Sequence, residues 1–134
     1  MKLVSQAKKL IKECLESQTT YLDLGNCGIT NLGDIPELFE CTHIETLILS
    51  NKWYDTTKKK MVYSKNQGQL NTISYITKDI VTLKNLRNLK IGGEYHFFNL
   101  MFFRNTFLIQ DIHLLKDLKG LTSLDLSHNQ ISDI

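Results

Sequence analysis

Residues 118–131 read LKGLTSLDLSHNQI, with apolar residues at every third position until the spacing tightens to alternation at Leu124-Asp125-Leu126. Alternation places Leu124 and Leu126 on one face of a short strand and Asp125 on the other. The three-residue spacing before the strand lays further leucines along the inside of a segment that arches back. The side chain of Asn129 can bond backbone groups in the following bend, which removes a desolvation cost. The stretch therefore predicts one turn of a coil with an apolar interior.

The same alternating triplet occurs four times along the chain. The triplets are Leu22-Asp23-Leu24, Leu47-Ile48-Leu49, Leu89-Lys90-Ile91 and Leu124-Asp125-Leu126. Cys27 stands in the first unit where Asn129 stands in the fourth. One such unit buries too little apolar surface to be stable alone, but stacked units share a core and a parallel sheet. The repetition therefore predicts a solenoid.

The sequence resembles the leucine-rich-repeat family, because residues 118–131 match the pattern L-x-x-L-x-x-L-x-L-x-x-N-x-I. The last unit is most similar to the repeats of bacterial internalins, and the whole resembles the repeat module of larger signalling proteins such as Roco proteins. The resemblance implies an α/β leucine-rich-repeat solenoid with parallel strands, an N-terminal helical cap and two insertions. We expect a single domain over 1–134, with the cap over 1–18 and about four repeats over 19–134.

The spacing of the triplets locates two insertions. Leu22 and Leu47 lie 25 positions apart, Leu47 and Leu89 lie 42 apart, and Leu89 and Leu124 lie 35 apart. With about 22 to 23 residues per repeat, the second unit has an excess of roughly 19 and the third of roughly 13. Residues 71–76 fit N-x-L-x-x-L, which places the extra residues near 53–70 and, by the same reasoning, near 95–107. Both insertions follow a repeat strand, so they are predicted to project side by side.

Both insertions are rich in aromatic residues. Residues 53–63 read WYDTTKKKMVY, in which apolar ends flank a polar tip with three lysines, as in a β-hairpin. Five of the six phenylalanines lie between 97 and 107. These side chains either form a satellite core or remain exposed as a binding patch, since aromatic residues and Met are favoured at interface centres.

The residues before the first triplet predict an amphipathic helix over about 3–16. Its apolar positions are Leu3, Val4, Ala7, Leu10, Ile11, Cys14 and Leu15, at the spacing of one helical face. Terminal units of a solenoid need a cover, so we expect this helix to cap the first repeat. The alternative is a helix that binds a membrane surface or a partner.

Nothing in the sequence predicts an enzyme, a metal site or a cofactor. The three cysteines lack the spacing of a disulfide framework or zinc site, and Cys14, Cys27 and Cys41 each have a packing explanation. The histidines show no paired ligand spacing, and the carboxylates are scattered. A net charge of +2 gives no reason to expect nucleic acid or a membrane as partner. Without a signal-peptide pattern, the expected compartment is the cytoplasm.

The predicted function is protein–protein recognition through the concave face of the sheet and the aromatic insertions. The expected concave positions are Tyr21, Asp23, Thr46, Ile48, Ser50, Asn88, Lys90, Ser123 and Asp125. The insertions are expected to add Trp53, Tyr54, Tyr95, Phe97 and Phe98. The alternatives are an N-terminal regulatory or targeting region of a multidomain signalling protein, or a secreted bacterial effector. Because the repeat pattern runs to residue 134, we expect either a fragment of a longer chain or a homodimer through the open C-terminal edge.

Overall fold

A computed structural model describes residues 4–99, 102–105, 107–129 and 131, with the backbone alone for 95–99 and 102–105. One α-helix, α1 (Ser5–Ser17), precedes eight short strands. In chain order the strands are β1 (Tyr21–Asp23), β2 (Thr46–Ile48), β3 (Lys52–Asp55), β4 (Lys60–Tyr63), β5 (Asn88–Lys90), β6 (Tyr95–Asn99), β7 (Phe102–Asn105) and β8 (Ser123–Asp125).

The four predicted repeat strands form one parallel sheet in the order β1-β2-β5-β8. Their register aligns the first leucine of each triplet, so that Leu22, Leu47, Leu89 and Leu124 are neighbours across the sheet. A slip of one residue would turn all four away from the core, so the alternation that identifies the strands also fixes their pairing. The predicted solenoid of parallel strands is confirmed.

Short 3-10 helices return the chain from one strand to the next. They span Leu32–Asp34, Pro36–Glu40, Lys78–Thr82 and His113–Asp117. A 3-10 helix has three residues per turn, so side chains three apart point the same way. Ile80, Leu83, Leu86 and Leu89 are all buried. Only Ile80 lies within the Lys78–Thr82 helix, but bonds from the Leu83 N–H to the Ile80 carbonyl and from the Leu86 N–H to the Leu83 carbonyl continue the three-residue spacing beyond it. The three-residue spacing in the sequence therefore reflects the geometry of the return.

The predicted cap is present as α1, which packs on β1 and on the Pro36–Glu40 turn. Ala7, Ile11 and Cys14 are its buried face. The helix ends at Gln18, whose left-handed backbone (φ 59°) lets its N–H donate to the Cys14 carbonyl. The cap therefore closes the first repeat with the apolar face that the sequence predicts.

Asn71 joins the first two repeats, although 22 residues separate it from Leu49. Its amide nitrogen donates to the carbonyls of Leu24 (2.8 Å) and Leu49 (2.9 Å). Its amide oxygen accepts from the N–H groups of Cys27 (3.1 Å) and Ile29 (2.8 Å). The Asn71 side chain thus makes four hydrogen bonds to backbone groups, and the residue is fully buried. Asn71 thus resumes the repeat after the insertion, as the 71–76 motif predicts.

Asn51 closes the insertion from its other end. Its amide oxygen accepts from the N–H groups of Asn26 (3.0 Å) and Asn71 (2.9 Å). Its amide nitrogen donates to the Asn71 carbonyl (3.1 Å) and to Glu94 Oε1 (3.3 Å). The chain leaves the solenoid at Asn51 and re-enters it at Asn71, so the extra residues cause no break in the stack.

The fourth repeat again has an asparagine at this position, whereas the third repeat does not. Asn129 donates to the carbonyls of Ile91 (2.9 Å) and Leu126 (3.0 Å) and accepts from the Ile109 N–H (3.0 Å). In the third repeat the position falls on Phe107, which is fully buried. The Asn or Cys of the repeat pattern is therefore replaced there by an apolar side chain.

We predict that Ile11→Ala lowers the free energy of unfolding by about 2–5 kcal/mol, because it leaves a cavity between the cap and the first repeat. Urea denaturation measures the change. Lys12→Ala, on the exposed face of the same helix, is the control and should change stability by less than about 0.5 kcal/mol. Equal stability of the Ile11→Ala and wild-type proteins would show that α1 is not part of the cooperative unit.

We predict that Asn71→Ala costs at least about 3 kcal/mol, because it leaves two buried N–H groups and two buried carbonyls without the partner they now share. Asn85→Ala is a matched control, since exposed Asn85 makes one bond, to the Thr42 carbonyl (2.8 Å). That control should cost less than about 1 kcal/mol. Similar losses for both variants, by chemical denaturation, would contradict the bridging role of Asn71.

Candidate functional site

The first insertion forms the predicted hairpin, but it folds over the concave face of the sheet. β3 and β4 pair antiparallel, with Trp53 opposite Val62. Both side chains line a groove together with Ile48 of the sheet. Trp53 is 7% exposed and Ile48 is 2% exposed. The hairpin therefore covers sheet residues that an ordinary repeat of this kind would leave open.

The segment after β4 is fastened to the end of β1 by buried polar contacts. Asp23 Oδ1 accepts from the Ser64 hydroxyl (2.8 Å) and the Gly25 N–H (2.9 Å), and Oδ2 accepts from the Lys65 N–H (3.2 Å). The Asn66 amide donates to the carbonyls of Asp23 (2.9 Å) and Gly25 (3.0 Å). These bonds hold the hairpin down on the sheet.

Gly25 makes this close approach possible. A Cβ at residue 25 would meet the Ser50 carbonyl oxygen and would lie 2.5 Å from the Ser64 Cβ. A larger residue would therefore push the hairpin away from β1 and β2.

This arrangement corrects the predicted role of four contact residues. Asp23, Ile48, Ser50 and Trp53 are buried, so they are not available to a partner on the surface. The predicted projection of the hairpin is also wrong, because the apolar pair Trp53–Val62 and the Asp23 contacts draw it down onto the sheet. Asp23 and Trp53 hold the site in shape, and Ile48 lies beneath it.

The remaining predicted concave residues, except Asp125, line a groove of about 340 Å³ between the sheet and the hairpin. The sheet supplies Tyr21, Thr46, Asn88, Lys90 and Ser123, and the hairpin tip supplies Asp55, Thr56, Thr57 and Lys58. Tyr21 is half exposed. The amide oxygen of Asn88 is buried and accepts no hydrogen bond from the described residues. The groove therefore presents hydrogen-bonding groups rather than an apolar surface.

The charges of the groove come from its hairpin tip and from β5. Asp55 Oδ1 accepts from the N–H groups of Lys58 (2.9 Å) and Thr57 (2.8 Å). These bonds, led by that from Lys58, together with the charges of Lys58 and Lys90, hold the pKa of the Asp55 carboxyl below its ordinary value. Burial, followed by the nearby charges of Asp23 and Asp55, raises the pKa of the Tyr21 phenol. At neutral pH the groove therefore holds a carboxylate, lysines and a neutral phenol donor.

The outer face of the hairpin is the more apolar surface. Tyr54, Met61 and Tyr63 are 51%, 46% and 66% exposed, and Tyr54 pairs with Met61 across the strands. The Lys52 ammonium lies 5.6 Å from the centre of the Tyr63 ring, within the range of a cation–π interaction. We call Lys52, Tyr54, Met61 and Tyr63 the outer hairpin face.

A cleft of about 450 Å³ borders this face. Its walls are Lys52, Trp53, Tyr54 and Met61 of the hairpin, with Gly93, Glu94, Asp125, Ser127 and His128 of the last two repeats. The predicted contact residue Asp125 also lies there, and its carboxylate accepts from the Ser127 N–H (3.0 Å) and hydroxyl (2.7 Å). The outer hairpin face thus continues into a cleft that has both apolar and polar walls.

The second insertion also forms a hairpin, since β6 pairs antiparallel with β7 and the register shifts between Phe97 and Asn99. The side chains of Tyr95, Phe97 and Phe98 lie outside the described residues. Their predicted role in binding therefore stays a prediction. Phe107, at the end of this insertion, belongs to the core.

Sequence reasoning left Met61 and Tyr63 out of the site. The signal that could have found them is the two-residue alternation of a hairpin, which places Tyr54, Met61 and Tyr63 on one face once Trp53 and Val62 take the other. No group of three His, Cys, Asp or Glu side chains in the described part of the chain could hold a metal ion. Nor does any helix among those residues have the length and hydrophobicity to cross a membrane.

Comparisons with known proteins agree with this architecture. A leucine-rich-repeat family model matches residues 121–134. No curated protein is similar enough in sequence to be matched to the chain. The structure is similar to that of an internalin (inlF) from Listeria monocytogenes, with a TM-score of 0.59 and 21% identity over 97% of this chain and 32% of that one. Internalin C2 of the same species is 17% identical over 98% of this chain and 69% of its own, with a TM-score of 0.33.

The chain spans about a third of the length of the first of these internalins, and the likeness concerns the fold. The matched repeat, the parallel register of the four strands and the covering helix agree with one another. The chain therefore has an α/β solenoid fold like that of this internalin, and its last repeat matches the leucine-rich-repeat family model.

Proposed function

We propose that the chain is a protein–protein interaction module whose partner is anchored on the outer hairpin face. The observation that carries the proposal is the exposure of Tyr54, Met61 and Tyr63 on one side of a hairpin that is fastened to the end of β1. Clustered apolar side chains on a surface mark interaction sites, and Tyr is among the residues that contribute most to binding. The fold belongs to a family of binding scaffolds, which supports the same reading.

The attachment of the hairpin is the second argument for this surface. Trp53 is buried against the sheet, and the Asp23–Ser64 bond fixes the end of β4. A partner that binds the outer face therefore does not have to order the hairpin first, which removes part of the entropic cost of association. The polar groups of Tyr21, Asn88 and Lys90, which line the groove beside the hairpin, are suited to the hydrogen-bonded rim of the same interface.

The sequence suggests two biological settings, and we propose both as alternatives. The module is either a regulatory or targeting region of a signalling protein or a secreted effector. In both settings the outer hairpin face is the proposed contact. We propose the cytoplasm as the compartment because the three cysteines are free in the structure. We expect neither catalysis nor a cofactor, and neither nucleic acid nor a membrane as partner.

A second candidate interaction is self-association through the outer side of β8. Leu124 is 41% exposed, whereas Leu22, Leu47 and Leu89 at the same repeat position are 4%, 0% and 0% exposed. It borders a cavity of about 630 Å³ that Ile112, Leu115, Leu118 and Leu121 also line. Asp111, Lys116 and Lys119 edge this apolar face. Because the edge carries both signs of charge, we propose that a second copy, related by a two-fold axis, covers the face.

We predict that Tyr54→Ala combined with Met61→Ser weakens partner binding by roughly tenfold or more, because the partner loses its apolar anchors. Proteins captured by the immobilised wild-type chain are purified and titrated against each variant by calorimetry. Tyr75→Ala is the matched control, since Tyr75 is equally exposed (50%) and lines neither the groove nor the cleft beside the hairpin. If Tyr21→Ala and Lys90→Ala abolish binding and the hairpin variant does not, the groove is the site instead.

We predict that the isolated chain dimerises with rising concentration and that Leu124→Lys keeps it monomeric, because a charged side chain cannot be buried unpaired in the interface. Light scattering after size-exclusion chromatography measures the mass. Tyr75→Lys makes the same kind of change on another surface and should dimerise like the wild type. A wild-type monomer at high concentration would exclude the two-fold contact.

A further inference from the structure

The groove between the sheet and the first hairpin holds a buried acceptor that no described residue satisfies. Asn88 stands on β5 between Thr46 of β2 and Ser123 of β8, its partners in register on either side. Neighbouring strands lie about 4.8 Å apart, so both hydroxyl side chains stand next to the amide. Neither donates to Oδ1 of Asn88, which is buried and has no hydrogen-bond partner among the described residues. A buried oxygen without a donor is costly, so the groove is suited to a ligand that supplies an N–H or O–H.

The groove also holds charges of both signs that do not pair with one another. Asp55 and Lys58 come from the hairpin tip, and Lys90 comes from β5 of the sheet. The bond from the Lys58 N–H, together with the charges of Lys58 and Lys90, lowers the pKa of the Asp55 carboxyl, which is therefore ionised at neutral pH. The one ion pair among the described residues, however, joins Lys8 of the cap helix to Glu37. The carboxylate and the ammonium groups of the groove are therefore open to a ligand that carries charges of its own.

An apolar wall and a limited volume narrow the choice of ligand. Trp53 and Val62 stand opposite each other on the hairpin strands and line the groove with Ile48 of the sheet. The volume of about 340 Å³ is at the lower end of the range of roughly 300–1,000 Å³ for small-molecule sites. A neutral sugar would leave the charges of the groove unpaired, and a simple anion would be repelled by the Asp55 carboxylate. A small zwitterion with an aliphatic part matches the buried acceptor, the two signs of charge and the apolar wall.

We propose that this groove binds a free α-amino acid with an aliphatic side chain. The ammonium group of the ligand donates to Oδ1 of Asn88 and pairs with the Asp55 carboxylate, and its carboxylate pairs with the Lys90 ammonium. Asn88 and Lys90 stand two residues apart on one face of β5, about 7 Å along the strand, so the acceptor and the cation meet opposite ends of a small ligand. The aliphatic side chain packs against Ile48 and Trp53. The site is separate from the outer hairpin face, whose residues do not line the groove.

The test uses the fluorescence of Trp53, which lines the groove and is the only tryptophan of the chain. The full chain is titrated with L-leucine, with isopentylamine, which lacks the carboxylate of leucine, and with isocaproate, which lacks its ammonium group. We expect a saturable change with L-leucine at millimolar concentration or below, and calorimetry should show one site. Each of the two half-ligands should bind more weakly by roughly tenfold or more, because it leaves one charge of the groove unpaired.

Two variants assign the ends of the ligand. Lys90→Met removes the cation and keeps the length of the side chain, whereas Asp55→Asn removes the negative charge and keeps an oxygen for the bonds from Thr57 and Lys58 at the hairpin tip. Each variant should weaken the binding of L-leucine by roughly tenfold or more. Lys84→Met is the matched control and should bind like the wild type, since Lys84 is exposed and does not line the groove.

The titrations of the wild-type chain decide the proposal even if a variant fails to fold. The absence of a saturable response to L-leucine at millimolar concentration would overturn it. Binding of either half-ligand as tightly as L-leucine would also overturn it, because the groove would then recognise only one of the two charges. So would wild-type affinity for L-leucine in folded Lys90→Met and Asp55→Asn chains.

Discussion

The stack of repeats depends on how the chain passes from one repeat to the next, and at the first junction one side chain makes that connection. Asn71 bonds the carbonyls of Leu24 and Leu49 and the N–H groups of Cys27 and Ile29, groups that no strand of the sheet can reach. Buried backbone groups without partners would cost far more than the net value of each bond, so the position tolerates little change. With Asn51 on the other side, it lets the chain leave and re-enter the solenoid without disturbing the register.

The third repeat meets the same requirement by a different means. Phe107 fills the junction there, and a Cβ on Gly93 would come within 2.8 Å of its Cβ. A side chain without hydrogen-bonding groups cannot bridge the carbonyls as Asn71 does, so the second insertion is joined to the solenoid by apolar packing. The backbone bond from the Leu108 N–H to the Ile73 carbonyl (2.9 Å) matches that from the Thr72 N–H to the Ile29 carbonyl (2.9 Å) in the preceding repeat. The coil path is therefore conserved between the repeats although the junction residue differs.

The way the first insertion is fastened decides which side chains of the sheet and the hairpin are exposed. Asp23 and Ser50 would face the solvent in a plain repeat, but here both are buried under the hairpin. Covering the first strands leaves Tyr54, Met61 and Tyr63 as the exposed apolar side chains of this region, the contact surface that we propose, and reduces the concave face to a polar groove. Of the aromatic residues of the first insertion, Trp53 is buried and Tyr54 is exposed.

The sequence by itself determined the repeat: the four triplets, the cap helix, the resumption of the pattern at Asn71 and the hairpin over 53–63 all follow from local spacing. Local spacing suffices because each repeat packs only on its neighbours, so periodicity and tertiary contacts coincide. Only the tertiary structure decided that the hairpin lies on the sheet, because the Asp23–Ser64 and Asp23–Lys65 bonds join residues more than 40 positions apart. The same holds for Cys14 and His43, which are 29 positions apart and meet only because α1 packs against the first return. Contacts between an insertion or cap and a repeat carry no period, and so the sequence gives no pattern from which to read them.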